Sequence, residues 1–216
     1  NKNIKLFCGQ PIIKFSIDAA IESQLFDRVI VSTDCEQIAE LAQQYGAVVP
    51  FLRPAELSDD CTPTIPVVRH AVAWAVRHWN NFKYACCIYA TAPFIQSTDL
   101  DRGLLTLQRD SNVEFAFPVT TYGFPIFRSL RLLENGHVEM LYPEHESTRS
   151  QDLIEVWHDA GQFYWGTARA WQTRDGLYSA HSVGIPIGRE RVQDIDTKED
   201  WARAEAMFKS LKGEGK

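Results

Sequence analysis

Three stretches of the chain carry apolar residues at spacings of three and four positions, which predicts amphipathic helices. The first stretch begins at Pro11, a residue suited to the first turn of a helix. The second has a broad apolar face over residues 67–79, and the third follows Thr197 near the end of the sequence. The buried faces of the first and third helices are predicted to contain Ile13, Ile17, Ala20, Ile21, Trp201, Ala204, Met207, Phe208 and Leu211.

Two further helices are indicated by their end signals. One follows Asp34 and is predicted to end at Tyr45, because Gly46 suits the left-handed conformation that closes many helices. The other is expected to be capped by Ser97 or Thr98 and to end at about residue 109. A loop rich in proline, serine, aspartate and threonine is predicted over residues 53–66.

Short apolar or β-branched runs alternate with these helices and are predicted to be strands. The first four cover residues 28–33, 47–52, 84–89 and 113–119. Residues 84–89 are nearly all apolar, as expected of a central parallel strand covered on both faces. The alternation predicts an α/β fold, a Rossmann-like three-layer sandwich with a mostly parallel sheet. Ligands of such sheets bind at the carboxyl ends of the strands.

The alternation breaks over residues 120–157. Two strands at residues 126–133 and 138–142 are predicted to form a hairpin around Asn135 and Gly136. We interpret this segment as an inserted arm for contact with a second copy of the chain. After the arm, strands are predicted at residues 161–165 and 182–187, with a short helix at 168–173.

An acidic pair lies just before the last helix. In extended chain, residues two apart share a face, so Asp194 and Asp196 are expected to aim their carboxylates at one point. Thr197 is the predicted N-cap, with Asp200 three residues on in the position of a capping-box acid. Two carboxylates held together favour a hard cation such as Mg²⁺, completed by water and phosphate oxygens. The alternative is that both carboxylates cap the helix and face water.

Composition narrows the function classes. The chain has 216 residues, enough for a single domain, and 45% of them are hydrophobic. A net charge of −6 without a long basic run argues against nucleic acid as the main partner. No apolar run reaches the length of a membrane span. The 5 cysteines are odd in number and fit no zinc spacing, so a cytoplasmic location is expected.

Several motifs spread over the chain are similar to those of one enzyme family. They are Lys2-Asn3, Val31-Ser32-Thr33-Asp34, Leu52-Arg53-Pro54 with Asp59-Asp60, Cys86-Cys87-Ile88-Tyr89, Thr148-Arg149-Ser150-Gln151-Asp152-Leu153, His158-Asp159-Ala160-Gly161-Gln162-Phe163-Tyr164 and Asp194-Ile195-Asp196-Thr197. In these the chain resembles the cytidylyltransferases that activate nonulosonic acids, the CMP-sialic acid synthetase family. Within that family it looks most like the members that act on pseudaminic acid. The resemblance implies a fold of the nucleotide-diphospho-sugar transferase type and a homodimer.

The resemblance implies a metal site and a nucleotide site. Asp194 and Asp196 would hold Mg²⁺ and serve catalysis. The nucleotide would be bound by Lys2, Asn3, Arg53, Thr62 and Thr64. The family also begins with a strand and a loop that wraps the CTP triphosphate, whereas this sequence begins just after the point where that loop would end. We therefore expect the first strand and the phosphate loop to be missing from the sequence.

The resemblance also implies a site for the sugar acid. Arg149 can bind its carboxylate through two nitrogens. The other candidates are Tyr89, Gln151, His158, Gln162 and Tyr164. Arg149 in an exposed salt bridge of the arm, Arg53 as a surface residue and His158 as a structural residue are the alternatives. Gln162 and Tyr164 share one face of their strand, and the sequence leaves open which face meets the ligand.

The activity implied is transfer of CMP from CTP to the anomeric hydroxyl of the sugar acid, for a bacterial surface glycan or flagellin. Activation of a related acid, sialic or legionaminic, is one alternative. A metal-dependent glycosyltransferase is another, although its acidic pair usually ends a strand in the middle of the chain. A nucleotide-binding module without catalysis is the alternative outside enzymes.

Overall fold

The computed structural model describes residues 2–59, 61–79 and 82–213. Asp60 of the Asp59-Asp60 motif therefore lies outside the described residues. The six α-helices of this part of the chain are α1 (Ile12–Ser23), α2 (Glu36–Gln44), α3 (Thr64–His78), α4 (Ser97–Arg109), α5 (Ala168–Thr173) and α6 (Lys198–Gly213). All were predicted, with some differences at their ends.

A five-stranded sheet forms the centre of the fold. Its strands are β3 (Tyr84–Ile88), β4 (Phe115–Thr121), β7 (Trp157–Asp159), β8 (Phe163–Thr167) and β9 (Ser182–Pro186). The order is β3-β8-β4-β7, and β9 pairs with β4. Four short strands lie outside this sheet: β1 (Leu6–Phe7) with β2 (Gln10–Pro11), and β5 (Leu130–Leu132) with β6 (Val138–Met140).

The sheet is mixed, which corrects the prediction of a mostly parallel one. β8 runs antiparallel to both β3 and β4, and β7 is antiparallel to β4. Only the β4–β9 pairing is parallel within the described five-stranded sheet. The arm reverses the direction of the chain between β4 and β8. β8 therefore lies between β3 and β4 and runs opposite to both. β3 is accordingly the neighbour of an antiparallel strand, and its side chains are half-buried.

The two predicted strands nearest the start of the chain are reduced to isolated parallel bridges. These join Ile30 to Val48 and Thr33 to Leu52. Backbone hydrogen bonds from Val31 to Val48 and from Val48 to Val29 keep the two segments side by side. The direction of pairing is the one that the alternation of helices and strands predicted.

Alternate side chains of β8 pack on opposite faces of the sheet. Phe163 and Trp165 contact the layer that includes α4, whereas Tyr164 contacts the layer formed by α3 and α5. The indole nitrogen of Trp165 donates a hydrogen bond of 2.9 Å to the carbonyl oxygen of Leu100. Helices therefore cover both faces, and the three-layer arrangement is confirmed.

Three local predictions differ from the structure. Ile21 is 44% exposed because it lies at the rim of the buried face of α1. α4 begins after Gln96, which makes no side-chain capping bond, so neither Ser97 nor Thr98 is its cap. α3 begins at Thr64, inside the stretch predicted to be loop, because Pro66 is tolerated in the first turn of a helix.

The arm contains the predicted hairpin. Leu132 pairs with Val138, and Gly136 has the positive φ of 81° that its turn requires. Leu130, Leu132 and Val138 are more than half exposed. The hairpin thus presents apolar side chains to its surroundings.

Candidate functional site

The acidic pair lies on an extended segment between a 3-10 turn and α6. Asp194 and Asp196 are exposed, and Ile195 between them is 2% exposed in the core. Asp194 and Asp196 therefore lie on the same, exposed face of the segment, as predicted. Thr197 and Asp200 form the predicted capping box: the Asp200 amide donates to Thr197 Oγ1 at 3.1 Å, and the Thr197 amide donates to Asp200 Oδ2 at 3.0 Å.

Lys2 reaches the acidic pair from the other end of the chain. Its ammonium nitrogen lies 3.2 Å from Oδ1 of Asp196 and also donates a hydrogen bond to the carbonyl oxygen of Ile195. The 3-10 turn Lys2–Ile4 and the acidic segment are thus in direct contact.

A buried ion pair fixes the segment that leads to the acidic pair. The guanidinium of Arg191 binds the carboxylate of Asp99, which is 3% exposed on α4. The backbone carbonyl of Arg191 accepts a hydrogen bond of 2.6 Å from Gln162 Nε2 on the loop before β8. Asp99 on α4 and Gln162 before β8 therefore fix the position of Arg191, which is three residues before Asp194.

The donor set around Asp194 and Asp196 suits a hard cation. Both carboxylates are exposed, and the Ile195 carbonyl adds a third oxygen to the same segment. Lys2 places one positive charge against Asp196, and the structure gives Asp194 no ion pair among the described residues. In the part of the chain that the structure describes, no cluster of three or more histidine, cysteine or acidic side chains has metal-binding geometry, so a metal here would have to complete its shell with water or substrate oxygens.

A cavity of about 1080 Å³ lies between residues 29–31 and β3. α1 and α3 supply apolar walls, including Ile13, Ile17 and Val72. Five of the predicted ligand-binding residues line this cavity: Asn3, Arg53, Thr62, Thr64 and Tyr89. The structure therefore brings most of the predicted nucleotide site together with Tyr89, which was assigned to the sugar.

Arg53 is held in place by three neighbours. Its Nε donates to Ser58 Oγ at 3.1 Å, Nη1 to the Ser32 carbonyl at 3.3 Å and Nη2 to Asp34 Oδ1 at 3.3 Å. The side chain is 21% exposed, and a contact of Arg53 with a nucleotide stays a prediction. A guanidinium fixed in this way presents a charged planar edge to the cavity.

The two threonines of the cavity are each bonded to a neighbour. Thr62 Oγ1 donates to Asp59 Oδ1 at 2.6 Å, and this bond lowers the pKa of the Asp59 carboxyl. Thr64 Oγ1 lies 2.8 Å from the hydroxyl of Tyr89. Burial raises the pKa of Tyr89, so its hydroxyl keeps its proton at neutral pH.

Asp159 binds two tyrosines next to the cavity. The hydroxyls of Tyr164 and Tyr178 donate to Asp159 Oδ2 at 2.8 Å and 2.7 Å, and the Gly161 amide donates to Oδ1 at 2.7 Å. Burial and the neighbouring carboxylate raise the pKa of both tyrosines. The Nδ1 atom of His158 lies 2.9 Å from the Asp159 carbonyl, which leaves Nε2 as the acceptor of a neutral ring.

The face of β8 that meets a ligand was left open, and the structure buries both faces. Gln162 and Tyr164 are each 3% exposed on one face, and Phe163 and Trp165 are 0% and 2% exposed on the other, because helices cover both faces of the sheet. Gln162 uses its amide nitrogen on Arg191, as described above. A sugar contact by Gln162, Tyr164 or His158 stays a prediction.

Arg149 and Gln151 lie on the arm and do not line the cavity. Both are exposed, and Arg149 binds Asp152 through Nε at 2.7 Å and Nη2 at 3.2 Å. Within one chain Arg149 therefore makes the salt bridge of the alternative interpretation. Its role in binding a sugar carboxylate also stays a prediction.

Two residues near the site were quoted in motifs but given no role. Asp159 accepts hydrogen bonds from Tyr164 and Tyr178. The sequence feature that could have indicated its role is the Asp-x-Gly turn, in which Gly161 has a positive φ of 63°. Ser32 lines the cavity, and its hydroxyl is buried without a partner among the described residues. Its place near the end of a predicted strand could have indicated a position at the ligand site.

The family model for cytidylyltransferases matches residues 1–180. A pseudaminic acid cytidylyltransferase of Campylobacter jejuni is 38% identical over 208 residues, which cover 96% of this chain and 89% of the relative. A Helicobacter pylori protein named as both a pseudaminic acid cytidylyltransferase and a UDP-2,4-diacetamido-2,4,6-trideoxy-β-L-altropyranose hydrolase is 34% identical over 195 residues, 90% of this chain and 37% of that protein.

Solved structures support the fold class. A CMP:2-keto-3-deoxy-manno-octonic acid synthetase complexed with CTP superposes with a TM-score of 0.68 at 12% identity, covering 97% of this chain and 92% of that one. This likeness confirms an α/β fold of the nucleotidyltransferase type. None of the described helices combines the length and apolar character needed to cross a membrane.

Proposed function

The chain belongs to the cytidylyltransferase family, and we propose that it transfers CMP from CTP to the anomeric hydroxyl of pseudaminic acid, releasing pyrophosphate. The observation that carries this proposal is the similarity to the Campylobacter enzyme over nearly the whole chain. The choice of pseudaminic acid rests on the stretches of Arg149 and His158, and the 208 aligned residues cover 96% of this chain. The product would serve a bacterial surface glycan or flagellin.

Asp194 and Asp196 are proposed to hold Mg²⁺. When bound, the metal would neutralise phosphate charge and could lower the pKa of the attacking hydroxyl. Asp99 and Gln162 fix the approach to this pair through Arg191, so the carboxylates are positioned before substrates arrive. Lys2 binds Asp196 and would also contact a phosphate oxygen of the substrate.

The cavity is proposed to bind the nucleotide. Arg53 would contact the nucleotide from its fixed position, with Thr62 and Thr64 near the base. Lys2, which lies beside Asp196, and Asn3, which lines the cavity, would contact the phosphates. Phosphoryl transfer depends on such positioning and charge neutralisation more than on covalent chemistry by the protein.

The exposed arm is proposed to pack against a second copy of the chain. Its hairpin exposes Leu130, Leu132 and Val138, which a partner subunit would cover. In such a homodimer Arg149 and Gln151 would reach the partner's site and bind the sugar acid. Tyr89, His158, Gln162 and Tyr164 would form the sugar side of the chain's own site.

The test is pyrophosphate release from CTP and Mg²⁺ with the natural full-length protein. Pseudaminic, N-acetylneuraminic and legionaminic acids would be compared at equal concentration. The proposal expects release with pseudaminic acid and little with the other two. Release with another acid would keep the reaction class and change the substrate, and nucleotide binding without release from any acid would indicate a non-catalytic module.

A further inference from the structure

Tyr178 has a fixed hydroxyl but an exposed ring. It lies in the loop of residues 174–181, between α5 and β9, and is 69% exposed. Its hydroxyl donates to Asp159 Oδ2 at 2.7 Å. Its ring meets the buried ring of Phe117 on β4 edge-on, with centroids 5.5 Å apart. Two contacts with the sheet therefore hold an aromatic ring that is still largely open to solvent.

Burial does not explain why this ring is ordered. Ordering a side chain at the surface loses rotamer freedom, and burial of apolar area normally offsets that loss. Tyr178 leaves most of its area in water, so its hydrogen bond to a carboxylate, a bond stronger than one between neutral groups, provides the hold. A ring that is already ordered can bind an apolar group of a ligand at a small further cost in entropy.

The ring lies beside the residues proposed to bind the sugar acid. Oδ2 of Asp159 also accepts from Tyr164 at 2.8 Å, so the hydroxyls of Tyr164 and Tyr178 meet at one atom. The centroid of the Tyr164 ring lies 5.3 Å from that of Tyr89, which lines the cavity. His158 precedes Asp159 on β7. Tyr178 is the most exposed of these three tyrosines, which together lead from the cavity to the surface.

We propose that the ring of Tyr178 binds the apolar side of the sugar acid and that Asp159 holds this ring in place. The inference rests on the proposed function, which puts a sugar acid against Tyr89, Tyr164 and His158. Such an acid has hydroxyl groups for polar side chains, and it has C–H and acyl methyl groups that pack against aromatic rings. Tyr178 would touch the substrate, whereas Asp159 is a positioning residue that acts through Tyr178.

Tyr178→Ala removes the ring. The KM for the sugar acid should rise about tenfold, the effect of losing one partly buried aromatic contact. The kcat should change little, because a contact made equally in the ground state and the transition state contributes to KM alone. The KM for CTP should stay at its wild-type value, because Tyr178 does not line the cavity.

Tyr178→Phe keeps the ring and removes its bond to Asp159. The KM for the sugar acid should then rise by less, about threefold, since the ring remains but is no longer fixed. Pyrophosphate release by the full-length protein, with each substrate varied in turn, measures both constants. The acid used is the one of pseudaminic, N-acetylneuraminic and legionaminic acids that the wild type converts fastest.

Asp175→Ala is the matched control for a disturbed loop. Asp175 lies in the same loop and binds Arg69 at 2.9 Å, and its side chain is 93% exposed. Its removal takes one anchor from the loop and leaves Tyr178 bound to Asp159. Both KM values should stay at those of the wild type. A role of Tyr178 in anchoring the loop alone would lower the Tm and leave the KM for the acid unchanged.

The outcomes separate this inference from the proposed function. A raised KM for the acid in Tyr178→Ala, with the KM for CTP unchanged, supports the inference. An unchanged KM for the acid, an equal rise in Asp175→Ala, or an equal rise in the KM for CTP overturns it while the wild-type activity upholds the function. A wild type that releases no pyrophosphate with any acid overturns both. If Tyr178→Ala is unfolded by circular dichroism, the smaller rise in Tyr178→Phe decides.

Discussion

The ammonium nitrogen of Lys2 lies 3.2 Å from Oδ1 of Asp196. This contact joins the first described turn of the chain to the segment before its last helix. It puts a positive charge on the carboxylate that is proposed to bind a metal. Exposed ion pairs of this kind contribute little to stability, so its importance lies in how it prepares the site.

Asp196→Asn is expected to reduce turnover by more than about 100-fold, since loss of a ligand from a metal that neutralises phosphate charge costs several kcal/mol. The fold should be unaffected, because Asp196 is exposed. Steady-state pyrophosphate release across a range of Mg²⁺ concentrations measures this effect. Glu199→Gln, an exposed neighbour on α6, is the control and should keep wild-type activity. Near-normal turnover in Asp196→Asn would disprove the metal assignment.

Asp99→Ala is expected to destabilise the protein by about 3–5 kcal/mol, because it leaves the Arg191 guanidinium without its buried partner. Urea unfolding monitored by tryptophan fluorescence gives the free energy of unfolding. Asp101→Ala removes an exposed carboxylate from the same helix and should change stability by less than about 0.5 kcal/mol. If the two variants are equally stable, the Asp99–Arg191 pair does not anchor the segment.

The capping box predicts a pH dependence. Hydrogen bonds from the amide and hydroxyl of Thr197 lower the pKa of Asp200 below its value of 3.8 in unfolded chain. A carboxyl with a lowered pKa stabilises the fold above its unfolded pKa, and this contribution is lost as the pH falls through the folded pKa. Asp200→Ala should therefore lower the Tm at pH 7, and its difference from wild type should shrink below pH 3.8. A difference in Tm that stays constant from pH 7 to pH 3 would contradict this account.

The arm can be tested by mixing two inactive variants. If Arg149 acts in the partner's site, a mixture of Arg149→Ala and Asp196→Asn chains forms some dimers with one intact site. Half of the dimers would be mixed, and activity should recover to about a quarter of the wild-type value after exchange of subunits. Light scattering would give the oligomeric state of each protein. A dimer whose mixtures regain no activity would place Arg149 outside the partner's site.

Local signals in the sequence predicted the acidic segment well. Thr197 and Asp200 form the expected capping box, and the burial of Ile195 turns Asp194 and Asp196 outward. These features depend on neighbours within a few residues. Pattern and spacing are therefore sufficient to predict them.

Strand direction could not be predicted in the same way. The sequence of β8 is as apolar as a parallel strand, and its placement between β3 and β4 depends on how the arm returns the chain. The contact of Lys2 with Asp196 and the pairing of Asp99 with Arg191 likewise join residues far apart in sequence. Such partners are set by the fold.

The role of Asp159 was missed for a related reason. Its two tyrosine partners are Tyr164, on the strand that follows, and Tyr178, beyond α5. The sequence indicated a turn at Gly161 and nothing about which hydroxyls meet there. Likewise, only the folded chain brings the hydroxyl of Tyr89 to within 2.8 Å of Thr64 Oγ1.

The central claim is that this chain makes CMP-pseudaminic acid, and a competition between substrates tests it most directly. The full-length protein would be given limiting CTP, Mg²⁺ and equal amounts of pseudaminic, N-acetylneuraminic and legionaminic acids, and the CMP-sugars would be separated and identified by mass spectrometry. The account predicts CMP-pseudaminic acid as the main product, with none formed by Asp196→Asn. A main product carrying either of the other acids would contradict the claim.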